Sequence, residues 1–502
     1  MAATKKGSGA KGRAGDRSQP RETVGLGAYF LSLTVENVRC FGERQELRLT
    51  DAEGRPARCT VLLGENGVGK TTLLQALVTV APARIDAAQV SESTHWSLWP
   101  WGSGPLEGWA GPNLPRGSTP FANRSPISRV RARIALASAI AEPGLDVTMG
   151  YGIKGLSFPH VTRECGDATG SPIGLQGGST ASHNPLERVF LAAYGPYRRL
   201  SQTSLVERDE GRAFGLNAFD TLFDSNATLP NAEEWYLQRD YEAIKTQNPT
   251  AARQRDRVRK VLLRVLPGVT DLTVGFREPG SGKARLLAET ADGAVPVSDL
   301  GLGYQSVLAW VVDLASRLFT AFPDSPDPLV EPCVVLVDEI DIHLHPRWQR
   351  TLLADISAIF PNAQFIVTAH SPLIVQAATD ANLAVLRRVG DHVEIDQSAS
   401  SVRNWRVDQI LTSDLFGLPS ARPAALDDAL ALRDAILAKD TLTPRDEADL
   451  VTLRERIGAL PGGETPLAME AEEILRRAAK EVAGKKKAPR KRTVARARAR
   501  RV

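Results

Sequence analysis

The sequence predicts an α/β fold in which a mixed β-sheet is flanked by helices, with an irregular insertion and a helical C-terminal region. Three observations lead there. The runs Thr60–Leu63, Val334–Val337 and Phe365–Val367 are almost continuously apolar, as strands buried on both faces are. Each run ends in polar groups placed where ligands bind in open α/β sheets. Helical patterns, Thr72–Val78 and Arg347–Phe360, follow the first two runs, as a parallel sheet with crossovers requires.

Along the chain, Met1–Glu22 is rich in Gly, Ser, Lys and Arg and reads as disordered. Phe30, Leu31, Leu33, Val35 and Val38 suggest a first strand, Leu47 and Leu49 a second, and Thr60–Leu63 a third. Residues 81–126 carry Trp96, Trp99, Trp101 and Trp109 among many Gly, Pro and Ser residues, without periodicity. A long irregular insertion is expected there. Ser128–Ile140 alternates as a strand, with an Ala-rich helix as the alternative; a Gly-rich loop follows at 166–182. Val189–Tyr194 reads as a short strand, Glu233–Lys245 and Thr250–Leu266 as helices, and Leu272–Phe276 with Leu286–Glu289 as a hairpin. Three helices are expected after residue 419, at Ala424–Lys439, Arg445–Leu460 and Leu467–Val482. The expected partition is a basic N-terminus (1–28), an N-terminal lobe (29–80), an inserted region (81–270), a second lobe (271–418), a helical region that caps the body or docks a partner (419–483) and a basic tail (484–502).

Composition narrows the class. The 502 residues carry a net charge of +4, concentrated at the ends: residues 484–502 hold ten Lys or Arg and no acid. The tail could attract nucleic acid, with strong salt dependence, or simply be solvated. Cys40, Cys59, Cys165 and Cys333 are scattered, which fits buried thiols of a reduced compartment. No apolar run approaches a membrane span and no secretory signal opens the chain. A cytoplasmic protein without membrane partners is expected.

The strongest motif is Gly64-Glu65-Asn66-Gly67-Val68-Gly69-Lys70-Thr71-Thr72, between a strand and a helix, the setting of a P-loop. Glycines let successive N–H groups turn inward around phosphate oxygens, at the positive end of a helix. Lys70 would reach the β- and γ-phosphates of ATP, and Thr71 would ligate Mg²⁺. Asp338 and Glu339, closing the Val334–Val337 run, provide a Mg²⁺ ligand acting through water and a carboxylate to orient the attacking water. His370, ending the Phe365–Val367 run, is placed on the same sheet edge, within reach of a γ-phosphate. Ser298–Ser306, with Gly301 and Gly303, opens a helix expected over Val307–Leu318 and forms a second anion device. One ATP has one γ-phosphate, so two devices suit two facing subunits. His343 and His345 lie on one face if extended, but lack a third ligand; they are expected to shape the loop.

This order of P-loop, glycine-rich signature, Asp-Glu strand end and switch histidine resembles the ABC-type ATPase heads of the SMC and RecF class. Glu339–Gln349 looks like AAA-family ATPases that recur in bacterial anti-phage systems. Tyr194–Arg199, Leu222–Trp235 and Asp414–Leu418 most resemble the ATPases of Septu and some retron systems. The resemblance covers roughly 29–418. It implies an ABC-type head that binds and hydrolyses Mg²⁺–ATP, with Glu339 and His370 catalytic and Thr71 and Asp338 at the metal. It also implies a homodimer or higher oligomer formed through the heads, with Gly301, Gly303 and Tyr304 meeting the partner's nucleotide and Asp341 as the D-loop carboxylate. A separate HNH-type nuclease would supply DNA cleavage. One departure stands out: the family's Leu-Ser-x-Gly is Leu300-Gly301-Leu302-Gly303 here, without the serine hydroxyl. Gln176, Gln202 and the Tyr194–Arg199 segment are candidates for the Q-loop role. Two other readings remain open, a RecF-like DNA-maintenance ATPase and an overcoming-lysogenization-defect type nuclease. Asp391, Glu394 and Asp396 do not form the carboxylate constellation the latter needs.

Overall fold

The computed structural model describes residues 28–36, 38–80, 127–136, 145–152, 160–166, 190–201, 218–276, 284–398, 402, 405–439, 441–457 and 474. In chain order the elements are β1 (Ala28–Glu36), β2 (Gln45–Arg48), β3 (Cys59–Gly64), α1 (Lys70–Val80), β4 (Ile127–Leu136), β5 (Leu145–Gly152), β6 (His160–Gly166), β7 (Leu191–Tyr194), α2 (Asp220–Phe223), α3 (Ala232–Lys245), α4 (Pro249–Val265), β8 (Asp271–Phe276), β9 (Ala284–Thr290), β10 (Gly293–Pro296), α5 (Leu302–Ala321), β11 (Cys333–Val337), α6 (Pro346–Gln349), α7 (Leu352–Ile359), β12 (Ala363–Thr368), α8 (Pro372–Ala377), β13 (Asn382–Val389), β14 (His392–Asp396), α9 (Val407–Leu411), α10 (Ala424–Leu437) and α11 (Pro444–Ile457).

The central sheet runs β14-β13-β3-β12-β11-β7. All its pairings are parallel except β13–β14. The three apolar runs of the sequence are therefore neighbours, with β12 between β3 and β11. Their side chains alternate between two cores. Val61, Val335 and Phe365 face one, built largely on α4, α5 and α7, and Leu62, Leu336 and Ile366 face the other, built on α1 and the second sheet. That second sheet, β2-β1-β4-β5-β6, is antiparallel. Gln364, buried on β12, joins the two sheets: its Oε1 accepts the Phe30 N–H and its Nε2 donates to the Phe30 carbonyl, both at 2.8 Å.

Several expectations change. The stretch 81–270, read as an insertion, supplies β4 to the antiparallel sheet and β7 to the edge of the central one. The described part of Ser128–Ile140 is strand, the first of its two readings: β4 pairs with β1 over eight residue pairs. β5, β6 and β10 were not anticipated; glycines and polar residues dilute their alternation. Helix α5 begins at Leu302, five residues before the expected start, with Gly301 as its N-cap. Expectations for 81–126, Gly166–Ser182, Gln176, Gln202, Leu467–Val482 and the basic ends fall outside the described residues, apart from Ala28, Gly166, which closes β6, and Ile474, which is helical.

The chain divides into two compact units, one of residues 1–410 with 414–416 and one of residues 411–413 with 417–502. In the second, α10 and α11 enclose a small core of Ala429, Ile436, Leu437, Leu450, Leu453 and Ile457. Among the described residues no helix is long and apolar enough to cross a membrane.

Candidate active site

The glycine-rich loop joins β3 to α1, and its backbone follows its composition. Gly67 and Gly69 have φ of 79° and 93°, values that L side chains rarely adopt. A Cβ at Gly69 would also lie 2.5 Å from the Cys40 Sγ, so the turn before β2 packs directly on this loop. Glu65, Asn66 and Gly67 are exposed, whereas Val68 and Lys70 are buried. The Lys70 Nζ donates to the carbonyls of Gly64 and Glu65, each at 2.8 Å. Burial lowers the Lys70 pKa, and the nearby charges of Asp338, Glu339 and Asp341 oppose that shift.

The sheet order brings the other groups to this loop. The Thr71 hydroxyl donates to Asp338 Oδ2 at 2.6 Å, and the Thr368 hydroxyl donates to Asp338 Oδ1 at 2.6 Å. Asp338 is buried at the end of β11. Glu339, half-buried beside it, has a left-handed backbone with φ 47°. Strain of this kind costs about 1–3 kcal/mol and persists only where the surroundings over-determine the conformation. Here the Glu339 N–H donates to Thr368 Oγ1 at 2.6 Å and its carbonyl accepts from Arg198 at 3.0 Å.

His370 follows β12. Its N–H donates to Asp341 Oδ2 at 3.0 Å. Gln349 braces the same corner, donating to the carbonyls of Asp341 and Leu344 while accepting the Ser371 hydroxyl. The expected carboxylate of the loop after β11 is therefore engaged within its own chain, holding the histidine turn. His343 is exposed, with φ 62°; the His345 ring nitrogen caps α6 by accepting the Arg347 N–H. Among the described residues no cluster of three or more His, Cys, Asp or Glu could hold a metal.

The signature region is only partly as expected. Gly301 is exposed and Leu302 is 63% exposed. Gly303 is buried, and a Cβ there would lie 2.5 Å from the His343 carbonyl oxygen. Tyr304 also turns inward, its ring 4.9 Å from that of Trp348 and its hydroxyl bonded to the Pro267 carbonyl at 2.8 Å. Gly303 and Tyr304 are thus packing residues of this subunit, and the outward-facing pair is Gly301 and Leu302. The helix start moved because Leu302 and Gly303 form its first turn, which draws the second glycine against the loop after β11.

Two groups were not anticipated from sequence. Arg39 donates to Thr72 Oγ1 at 3.2 Å and Gln75 Oε1 at 2.9 Å, beside the P-loop. Arg198, within the Tyr194–Arg199 segment, is buried beneath the Asp338–Glu339 turn. The sequence pointed to the Tyr194–Arg199 segment as a Q-loop candidate without singling out Arg198.

The donors present fit a divalent cation of the Mg²⁺ type. A threonine hydroxyl and a buried carboxylate meet at the P-loop, and Mg²⁺ takes few protein oxygens, completing its shell with water and phosphate. Fold and site together define a P-loop NTPase fold. A family model described as "AAA domain, putative AbiEii toxin, Type IV TA system" matches residues 182–376, and an "AAA domain" model matches residues 32–81. The chain is similar to the Retron Vc95 probable ATPase of Vibrio cholerae serotype O1 biovar El Tor, 37% identical over 19% of this chain and 18% of that protein. It is also similar to the Septu protein PtuA of Bacillus mycoides (strain KBAB4), 29% identical over 32% of this chain and 22% of that protein. These matches thus span about a fifth of each relative. The SMC head domain from Thermotoga maritima aligns at 15% identity with a TM-score of 0.37, over 74% of this chain and 100% of that domain.

Proposed function

We infer that the chain binds Mg²⁺–ATP and hydrolyses it as the ATPase of an anti-phage defence assembly. The observation that carries the reading is the meeting of Thr71, at the start of α1, with Asp338 and Thr368 at the ends of the adjacent strands β11 and β12, with Glu339 one residue after Asp338 and His370 two residues after Thr368. The P-loop backbone and Lys70 bind the phosphates. Thr71 and Asp338 would hold Mg²⁺, which would supply positive charge against the charge that develops on the phosphates. Glu339 orients water for in-line attack, and His370 contacts the γ-phosphate. Positioning and electrostatic stabilisation do most of the catalytic work.

The defence role rests on the names of the retron and Septu relatives. Two heads close over two nucleotides, the exposed Gly301–Leu302 turn of each meeting the nucleotide of the other. The head pair then regulates a separate HNH-type nuclease and does not itself cut. An HNH protein in the neighbouring reading frame supports that partner; purified chain nicking DNA alone overturns the division of labour.

The central test is Glu339→Gln. It should slow hydrolysis by about 10²–10³-fold while retaining ATP, and the ATP-bound variant should scatter light as a dimer. Wild-type turnover in the variant would remove Glu339 from catalysis, and a monomer at all ATP concentrations would remove head-to-head closure.

A further inference from the structure

Arg198 is an unusual buried cation. Four of its five N–H donors bond backbone and hydroxyl oxygens, with no carboxylate side chain among those partners. Nη1 donates to the carbonyls of Gly195 at 3.1 Å and Asp338 at 2.7 Å, Nη2 to the Glu339 carbonyl at 3.0 Å, and Nε to Ser306 Oγ at 2.9 Å. These oxygens belong to three separate parts of the fold: the segment after β7, the turn after β11, and α5 close to Gly301–Leu302. Arg198 itself is 6% exposed.

The geometry points to Arg198 as a positioning residue that holds the Glu339 peptide in its left-handed conformation and ties it to the start of α5. The argument rests on the ATPase reading above, because it concerns how Glu339 is aimed. Glu339 adopts φ 47° without being glycine, so its neighbours must impose the conformation. Thr368 holds the N–H side of the residue and Arg198 the carbonyl side. Together they set the direction in which its Cβ leaves the chain. The planar guanidinium is the side chain that can span all three sites at once; a lysine ammonium has its donors on a single nitrogen. Through Ser306, a push on the exposed Gly301–Leu302 turn reaches the Glu339 carbonyl by two hydrogen bonds through one rigid group. A contact made at the start of α5 is then felt at the residue that orients water.

The experiment compares wild type, Arg198→Lys and Ser306→Ala as full chains, reading steady-state ATP hydrolysis and amide hydrogen exchange. Arg198→Lys should lower kcat by about 10²-fold with KM changed less than about threefold, the signature of misplaced catalytic geometry. Amides 339–341 should exchange about tenfold faster, because the carbonyl clamp is gone. Ser306→Ala leaves the carbonyl clamp in place; it should raise exchange over 302–306 and lower kcat by about three- to tenfold. Wild-type kcat and exchange in Arg198→Lys would overturn the proposal. So would a uniform rise in exchange across the chain in that variant, combined with unchanged exchange and kcat in Ser306→Ala. If wild type itself hydrolyses no ATP, the ATPase reading fails, and the exchange data alone still decide whether Arg198 holds the turn.

Discussion

The Thr71 hydroxyl donates to Asp338 Oδ2 at 2.6 Å across 267 residues of sequence. This bond closes the end of the glycine-rich loop onto the end of β11 and puts two expected metal ligands side by side. With Thr368 on the other carboxylate oxygen, Asp338 accepts from the start of α1 and the end of β12, and these two hydroxyls fix its orientation.

Replacing that carboxylate should therefore uncouple nucleotide from metal. Asp338→Asn puts an NH₂ group where one of two hydroxyls now donates and removes the negative charge. Hydrolysis should fall at least about 10²-fold, and the rate should no longer saturate with millimolar Mg²⁺. A Mg²⁺ titration of ATP hydrolysis checks this; an unchanged titration curve would place the metal elsewhere.

The two signature glycines should separate in a thermal melt. Gly303→Ala brings a Cβ to 2.5 Å from a backbone carbonyl, which the packed loop after β11 can relieve only by moving. A loss of about 1–3 kcal/mol is expected. Gly301→Ala meets nothing within 4 Å and should melt within about 0.5 kcal/mol of wild type. If Gly301 faces a second head, its substitution should instead change ATP-dependent dimerisation, measured by light scattering.

Gln364 offers a test of how the two sheets are joined. Gln364→Leu keeps much of the volume but leaves the Phe30 N–H and carbonyl without this partner. Unpaired buried groups cost about 1–3 kcal/mol each, so chemical denaturation should show a loss of at least about 2 kcal/mol. A change below 0.5 kcal/mol, on the scale of ordinary surface substitutions, would mean that water or a shifted strand replaces these bonds.

Acid should loosen the start of α11. Asp446 accepts the N–H and hydroxyl of Thr443 and pairs with Lys439, while its own N–H donates to Thr443 Oγ1. This is a capping box with aspartate in the acidic position. The Lys439 bond first, then those from Thr443, lower its pKa from 3.8 to about 2. A carboxylate with a depressed folded-state pKa adds stability in full above its unfolded value and loses it as pH falls through the folded one. Amide protection over 443–447 should be constant down to about pH 4 and fall from there toward pH 2. Asp446→Asn should abolish that pH dependence.

Much of the site was legible because its chemistry is local. Gly64–Thr72 needs particular φ values and a helix start within nine residues, and both are written in adjacent letters. Asp338, Glu339 and His370 announced themselves by ending apolar runs. Arg198 did not, because an arginine after a short strand looks like any surface arginine until its partners are known. The inward packing of Gly303 and Tyr304 was not legible for a related reason. Glycine at a helix start suits both ligand approach and tight packing, and only the position of the His343 carbonyl selects between them.

By itself, then, the sequence determined the α/β class, the strand, glycine-rich loop and helix around Gly64–Thr72, and the acidic strand end, since periodicity and turn chemistry act over a few residues. The tertiary structure alone decided that β12 lies between β3 and β11, that Thr71 and Thr368 converge on Asp338, and that Arg198 clamps Glu339 to α5. Those contacts join residues 30 to 267 positions apart. Which distant pairs meet depends on how whole strands and helices bury their apolar faces together, a property of the assembled core that no local pattern encodes.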